Sequence, residues 1–306
     1  MRVLARDLEF PEGPVAMPDG SILLVEIARG TLIRVTKDGT KSTICETGGG
    51  PNGAAVGPDG KIYLCNNGGI DWSRKSGRPR PTWKLAAGYT GGRIEVVDPA
   101  TGSLRCLYDR CGEHRLCSPN DLVFDESGGF WFTDSGKQHP RHRDYGALYW
   151  ARADGSEIRL CAYHLEAPNG VGLSPDGRRL YVSETSSARL WAWDVLGPGE
   201  IRKTRDIAHG GRFVAGSANY QRFDSLKVSS SGRICVATLH NGGITEIWPD
   251  GSHSRHHPMP DAAVTNLCFG GRDMRSVFVT LAHEGLLVQT DWHEPGLRLH
   301  FQELPS

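Results

Sequence analysis

Residues 168–183 read PNGVGLSPDGRRLYVS, and five other segments of the chain repeat the plan of this phrase. They read PEGPVAMPDGSILLVE (11–26), PNGAAVGPDGKIYLCN (51–66), PNDLVFDESGGFWFTD (119–134), FDSLKVSSSGRICVAT (223–238) and TNLCFGGRDMRSVFVT (265–280). In five of the six, a glycine lies eight residues after an opening Glu, Asn or Asp, whereas the phrase that opens at Asn266 has Met274 there. Two apolar runs separated by a turn of this kind predict a β-hairpin.

The spacing of the phrases extends this prediction to the whole chain. They start roughly 40 to 70 residues apart, which leaves room for four strands and variable loops in each repeat. Strand-like runs such as RLWAWDV (189–195) lie between them, and no segment has a sustained helical pattern. We therefore expect an all-β fold, a six-bladed β-propeller with four-stranded antiparallel blades, and a single domain over residues 1–306. Either residues 2–8 or residues 297–304 would complete the last blade.

The composition excludes several other classes. The chain has 35 basic and 35 acidic residues and no long basic block, so a nucleic-acid partner is not expected. It has no apolar run of membrane-spanning length and no signal peptide, so we expect no membrane partner and a cytoplasmic location. Eight cysteines in that compartment are expected to be reduced. The oligomeric state stays open.

The residues that open the phrases form a polar column, one residue in each repeat. They are Glu12, Asn52, Asn120, Asn169, Asp224 and Asn266. Because the first strand of a propeller blade lines the central channel, these side chains should converge at one mouth of it. Asn and Asp also cap turns through backbone hydrogen bonds, and this structural role stays open for Asn52 and Asn266. A ring of carboxylate and amide oxygens suits Ca²⁺, Mg²⁺ or Mn²⁺.

The phrases resemble the motifs of the senescence marker protein (regucalcin), gluconolactonase and luciferin-regenerating enzyme family. The resemblance rests on Glu12 in PEGPV, Asn120 in PND, Asn169 in PNG followed by SPDG and LYVSET, and Asp224 in DSLKVSSSGRICVA. It implies a six-bladed propeller with one divalent cation on its axis and hydrolysis of a small lactone. Glu12, Asn169 and Asp224 would be the metal ligands, and Asn120 a fourth ligand or a substrate contact. Ca²⁺ is the expected ion, with Mg²⁺, Mn²⁺, Zn²⁺ and Fe²⁺ as alternatives.

The same residues suggest how the reaction would proceed. A divalent cation polarises a lactone carbonyl, but Ca²⁺ is a weak Lewis acid, so a calcium enzyme needs a separate base. Asp224 is the candidate base, with ligation alone as its other role, and Asn120 is the second catalytic candidate. Asp121 should point off the axis by strand alternation and orient Asn120.

The substrate-binding residues are expected at the same mouth. Ser118, two residues before Asn120, stands where sugar lactonases of the family often have an Arg. The aldonolactone substrate of those enzymes is therefore not assumed for this chain. Other candidates are Asn52, Asn120, Trp72, His139 and His240, together with Trp83, Tyr89, Gln138, Arg141, His142 and His283. Residues 71–90, which combine Arg and Lys with aromatic residues, are expected to form a lid over an aromatic or acidic substrate.

Two other functions fit the same fold. One is a phosphotriesterase resembling diisopropyl fluorophosphatase, which has a similar Glu, Asn, Asn, Asp calcium site. The other is a calcium-binding propeller without catalytic activity. A metal-dependent lactonase acting on a small-molecule lactone is the function that the sequence favours.

Overall fold

The computed structural model describes residues 1–75 and 77–303, without the side chain of Trp83. Throughout these residues the regular structure consists of β-strands. The described ranges contain no helix that is long and apolar enough to cross a bilayer. The Gly-rich turns and alternating apolar runs of the sequence thus produce an all-β chain, as predicted.

The strands of the first half lie between residues 2 and 134. They are β1 (Arg2–Ala5), β2 (Pro11–Ala16), β3 (Ile22–Glu26), β4 (Thr31–Val35), β5 (Lys41–Glu46), β6 (Pro51–Val56), β7 (Ile62–Asn66), β8 (Ile70–Ser73), β9 (Arg80–Leu85), β10 (Arg93–Val97), β11 (Leu104–Tyr108), β12 (Arg110–Cys111), β13 (His114–Arg115), β14 (Pro119–Phe124) and β15 (Gly129–Asp134).

The strands of the second half lie between residues 146 and 291. They are β16 (Gly146–Arg152), β17 (Ile158–Leu165), β18 (Pro168–Leu173), β19 (Arg179–Glu184), β20 (Arg189–Gly197), β21 (Glu200–Arg202), β22 (Arg212–Gly216), β23 (Arg222–Val228), β24 (Ile234–Leu239), β25 (Gly243–Ile247), β26 (Ser254–Pro258), β27 (Val264–Gly270), β28 (Ser276–Leu281) and β29 (Leu286–Asp291).

The strands form antiparallel sheets of four, as the sequence predicts. In the described part of the chain these are β2-β3-β4-β5, β6-β7-β10-β11, β14-β15-β16-β17, β18-β19-β20-β21, β23-β24-β25-β26 and β27-β28-β29-β1. A fifth strand, β22, pairs with β20, and β8-β9 and β12-β13 form two-stranded ribbons. Every repeated phrase forms the first hairpin of a sheet, so the repeat in the sequence is a repeat in the structure.

The first strands of the six sheets contact one another in cyclic order. Strand β2 contacts β6, and the contacts continue through β14, β18, β23 and β27, which returns to β2. Each hairpin turn has a residue with positive φ at the repeated glycine, for example Gly177 at 67°. Met274 adopts the same conformation, with φ 56°. Glycine adopts it at less cost, so the sixth turn keeps its geometry without the preferred residue.

The N-terminal strand completes the sixth sheet. Strand β1 pairs with β29, so the first of the two segments that the sequence left open takes this role. Residue 304 of the other segment lies outside the described residues. The described part crosses the ends of the first strands, where Leu297 N donates to Val228 O at 2.9 Å and Gln302 Nε2 donates to Phe269 O at 3.0 Å. This segment covers the channel at the end opposite the polar column.

The core lies between neighbouring sheets. One apolar cluster joins Trp131 and Trp150 of the third sheet to Trp193 of the fourth, and all three are fully buried. Burial of a large apolar side chain stabilises a fold by about 1.5–3 kcal/mol. The eight cysteines all lie in the described ranges, and all are free thiols. Packing between the sheets therefore holds the channel in a fixed shape without a disulfide.

Candidate functional site

A cavity of about 390 Å³ lies at the channel mouth where the repeated phrases begin. Five of the six predicted column residues line it: Glu12, Asn52, Asn120, Asn169 and Asp224. These five side chains are at least nine-tenths buried. Residues far apart in the sequence are thus brought together at the centre of the ring, with two carboxylates and three carboxamides facing one space.

The sixth place around the cavity belongs to Thr265 and not to Asn266. The backbone N–H of Asn266 donates to Thr280 Oγ1 at 3.0 Å, just as that of Asp121 donates to Thr133 Oγ1 at 3.2 Å. Asn266 is therefore equivalent to the residue after the column residue in the third sheet. The assignment of Asn266 to the column is therefore off by one position. Its side chain has the structural role that the sequence left open, since it hydrogen-bonds to Glu12 and to the backbone of Leu267.

A β-bulge lies at the column position or directly after it in each first strand. The pairing register shifts between Glu12 and Val15 in the first sheet and between Pro119 and Leu122 in the third, and comparable shifts recur in the other four. An extra residue on one strand breaks the alternation of side chains between the two faces. The expectation that Asp121 points off the axis is therefore wrong. Its carboxylate contacts Lys227 across the channel, with 3.3 Å between Oδ2 and Nζ.

Glu12 is held by hydrogen bonds from three neighbours. Asn266 Nδ2 donates to Oε2 at 2.7 Å, Ser225 Oγ donates to Oε1 at 3.2 Å, and the backbone N–H of Gly13 also donates to Oε2. Burial raises the pKa of Glu12 to about 7, and the negative charge of Asp121 contributes to this rise. The neighbours fix the orientation of the carboxylate without neutralising its charge.

Asp224 is in the same electrostatic situation. Burial raises its pKa well above the usual range, the charge of Glu12 adds to this, and a hydrogen bond from Asn169 opposes it. Asn169 is itself oriented, because its Nδ2 donates to Thr185 Oγ1 at 3.1 Å and its Oδ1 accepts from Ser225 Oγ at 3.3 Å. Two buried carboxylates repel each other here, and a bound cation would relieve that repulsion.

The amide oxygens of Asn52 and Asn120 provide the test of whether a cation fits. Both Oδ1 atoms are buried, and neither has a hydrogen-bond partner among the described residues. An unpaired buried polar atom costs roughly 1–3 kcal/mol, so such atoms are normally satisfied by a ligand or by water. Two unpaired oxygens beside two carboxylates are a donor set that suits a hard divalent cation. The residues present therefore fit the cation that the sequence implies.

The predicted substrate residues lie at different distances from the cavity. Ser118 lines it, and its backbone N–H donates to Asp134 Oδ1 at 2.7 Å. Trp72 packs on Phe10, with ring centroids 5.1 Å apart. Of these two residues, Phe10 lines the cavity and Trp72 does not. The side chain of Trp83 lies outside the described residues. Trp72 thus supports the wall from behind.

The four candidate histidines, His139, His142, His240 and His283, lie outside the cavity lining. His139 stacks on His142 at 4.3 Å, and its Nε2 lies 3.1 Å from Asp144 Oδ2. These three side chains are close enough to hold a metal ion together, as are Glu246, His293 and Glu294 elsewhere. His240 packs on Tyr220, with ring centroids 4.8 Å apart. In this conformation neither His139 nor His240 reaches the floor of the cavity.

Sequence reasoning missed three basic residues in the cavity wall. They are Lys137, Arg143 and Arg222, whereas Lys84, which also lines the cavity, belongs to the expected lid segment. Their positions in the sequence could have indicated them. Lys137 and Arg143 belong to the long segment that follows β15, and Arg222 directly precedes the fifth phrase. Their charge makes this wall cationic above an acidic floor.

The fold and the oxygen-lined cavity define a propeller-type protein with a candidate cation site on its axis. The family model described as "SMP-30/Gluconolactonase/LRE-like region" matches residues 10–283. The chain belongs to this family, which confirms the resemblance seen in its motifs.

Similarity to individual proteins supports the family match. A gluconolactonase of Zymomonas mobilis is 27% identical over 317 residues, covering 95% of this chain and 81% of its own. Diisopropyl-fluorophosphatase of Loligo vulgaris is 24% identical, covering 98% of this chain and 95% of its own. The crystal structure of regucalcin from Agrobacterium tumefaciens, described as a calcium-binding protein, matches with a TM-score of 0.73 and 20% identity, covering 97% of both chains. At that identity the structural likeness establishes the fold.

Proposed function

We propose that the chain is a metal-dependent lactonase, a single domain in which the six sheets are the six blades of one propeller. It is a hydrolase of lactones, as its family and its gluconolactonase relative indicate. The unpaired amide oxygens beside two repelling carboxylates carry the proposal of a metal site on the axis. Glu12, Asn169 and Asp224 would hold one divalent cation, with Asn120 as a fourth ligand or a substrate contact. The cytoplasmic location stays a prediction.

A bound divalent cation would supply Lewis-acid polarisation of the lactone carbonyl. Asp224 takes the proton of the attacking water as the oxygen of that water bonds to the carbonyl carbon. The bond between that carbon and the ring oxygen then breaks, and the ring oxygen receives the proton from Asp224. The product is an open-chain hydroxy acid. Proton transfer by a positioned side chain contributes on the order of 10²- to 10⁴-fold in rate.

The remaining residues of the cavity bind and orient the substrate. Asn120 offers a buried amide in the same cavity as Asp224, and Asn52 offers another from the second sheet. Ser118 is fixed by the backbone hydrogen bonds that Asp134 accepts. Burial of the floor limits the access of bulk water, which strengthens each electrostatic contact made there.

Calcium titration of the chelator-treated protein tests the metal site. We expect one ion per chain in the wild-type protein and at least a tenfold weaker affinity in Glu12→Gln and Asp224→Asn. Asp59→Asn, which removes an exposed carboxylate at the far end of the second sheet, serves as the control and should bind like the wild-type protein. Unchanged affinity in both cavity variants would remove the axial site from the account.

Phosphotriesterase activity is the second candidate, favoured by the diisopropyl-fluorophosphatase relative, which matches over nearly its whole length. The same floor residues would serve it. Hydrolysis of diisopropyl fluorophosphate, measured beside sugar, aliphatic and aromatic lactones, separates the two activities. Calcium binding without turnover of any of these compounds would instead support a calcium-binding propeller without catalytic activity.

A further inference from the structure

The cavity has two walls of opposite character. One wall is apolar and comes mainly from the first sheet and from the β8-β9 ribbon. Its apolar residues are Phe10, Ile27, Ile70, Pro81 and Leu85, and Lys84 of the same ribbon also lines the cavity. The other wall is cationic and comes mainly from the third and fifth sheets, where Lys137, Arg143 and Arg222 lie. Between them, the acidic floor is the proposed cation site, so the basic residues are not needed for metal binding.

Lys137 is the most buried of the basic residues, with 4% of its surface exposed. Its Nζ donates to Gly69 O at 3.0 Å and lies 4.8 Å from the centre of the Tyr89 ring. An ammonium group has three donors, and a buried one is stable only when its charge is compensated. The nearby Asp134 compensates it in part, but both oxygens of that carboxylate already accept backbone hydrogen bonds.

Arg143 presents an unsatisfied donor in the same wall. Its Nη2 donates to Ser135 O at 2.7 Å, whereas its Nε is buried and has no partner among the described residues. The positive charge of Arg222 lies close enough to oppose the charge of Arg143, and Glu166 and Asp144 lie nearby without lining the cavity. Arg143 and Arg222 both line the cavity, and the unpaired Nε–H of Arg143 is a donor that suits an anionic group.

We propose that the lactone substrate carries a carboxylate, which binds to Arg143, Arg222 and Lys137, while its apolar part packs on Phe10 and Leu85. This inference rests on the proposed lactonase function. Guanidinium groups match a carboxylate geometrically, since two parallel N–H donors reach its two oxygens. The carboxylate would orient the lactone so that its ring carbonyl faces the floor and Asp224.

A matched pair of substrates tests the inference: one γ-lactone with a carboxylate substituent and the same lactone with a neutral primary amide in its place. We expect the wild-type protein to prefer the carboxylate by about tenfold or more in kcat/KM, equivalent to about 1.4 kcal/mol. Arg222→Gln should bring the two substrates near parity by raising KM for the carboxylate alone. Arg143→Lys keeps the charge and should retain part of the preference. Arg178→Gln, an exposed arginine on a distant turn, should leave the preference unchanged.

The outcomes separate this inference from the function on which it rests. If the neutral lactone is hydrolysed as fast as the carboxylate, the carboxylate site is refuted and the lactonase function stands. If neither is hydrolysed, the lactonase function fails for this substrate pair, and calorimetric titration with the carboxylate lactone decides the inference. Binding that Arg222→Gln weakens about tenfold would support the carboxylate site, and the absence of binding would overturn it.

Discussion

Lys227 Nζ lies 3.3 Å from Asp121 Oδ2, across the channel beneath the candidate cation site. The two residues belong to β23 and β14, and β18 lies between those strands in the ring. Their contact therefore spans the channel. Asp121 is 1% exposed, and its pKa is raised by burial even though Lys227 opposes the shift. The pair places one positive charge among three buried carboxylates, those of Glu12, Asp121 and Asp224.

Removing Lys227 should destabilise the protein strongly. Lys227→Met leaves Asp121 buried and uncompensated, which typically costs about 3–5 kcal/mol, whereas replacing both partners of a buried ion pair with neutral residues costs far less. We expect the double variant Asp121→Asn with Lys227→Met to recover most of the stability that the single variant loses. Urea unfolding at pH 7 measures both. Equal losses in the single and double variants would mean that the ion pair does not account for the effect.

The pair also marks where sequence reasoning reached its limit. The repeated phrases predicted the hairpins and brought Glu12, Asn169 and Asp224 to one mouth, because a period in the sequence became a period in the fold. The amino-acid sequence does not clearly indicate the bulge at each column residue, because the bulge depends on the pairing with the next strand. Asp121 was therefore assigned to the wrong face and Thr265 was overlooked.

The basic wall escaped prediction for a different reason. Lys137 and Arg143 lie in an irregular segment, where periodicity carries no information, and only the fold shows which side chains of such a segment turn inward. The same holds for Trp72, whose contact with Phe10 depends on how the β8-β9 ribbon folds back. His139 and His240 follow Gln138 and Leu239, which line the cavity, but are not in its lining themselves.

Metal removal should make stability depend on pH through Glu12. Its pKa is raised from 4.5 to about 7 in the metal-free fold, so between these values the folded state holds a proton that the unfolded state has lost. Stability contributed by this group is present at low pH and is lost as pH rises towards 7. We expect the Tm of the chelator-treated wild-type protein to be higher at pH 5 than at pH 7.5. This difference in Tm should be smaller in chelator-treated Glu12→Gln.

Calcium should remove that difference, because a bound cation favours the charged carboxylates. Thermal unfolding with calcium in place of the chelator is the control. A metal-free wild-type protein whose pH dependence matches that of Glu12→Gln would contradict the assignment of the raised pKa to this residue.

Lys137 should give the opposite dependence at higher pH. Burial lowers its pKa from 10.5 to about 8, so between these values the unfolded state holds a proton that the folded state has lost. The cost of burying the charged form is then relieved, and stability rises with pH through this window. Lys137→Met should remove the rise. Urea unfolding from pH 7.5 to 10 of both proteins measures it, and parallel curves would show that Lys137 keeps its proton throughout.

The hydrolysis of lactones before and after metal removal tests the central claim most directly. The purified protein is assayed for proton release from sugar, aliphatic and aromatic lactones, is then treated with a chelator, and is assayed again after Ca²⁺ is restored. We predict hydrolysis of at least one lactone, its loss in the metal-free protein while the fold persists, and its return with one ion per chain. Turnover that continues unchanged in fully metal-free protein would contradict the account.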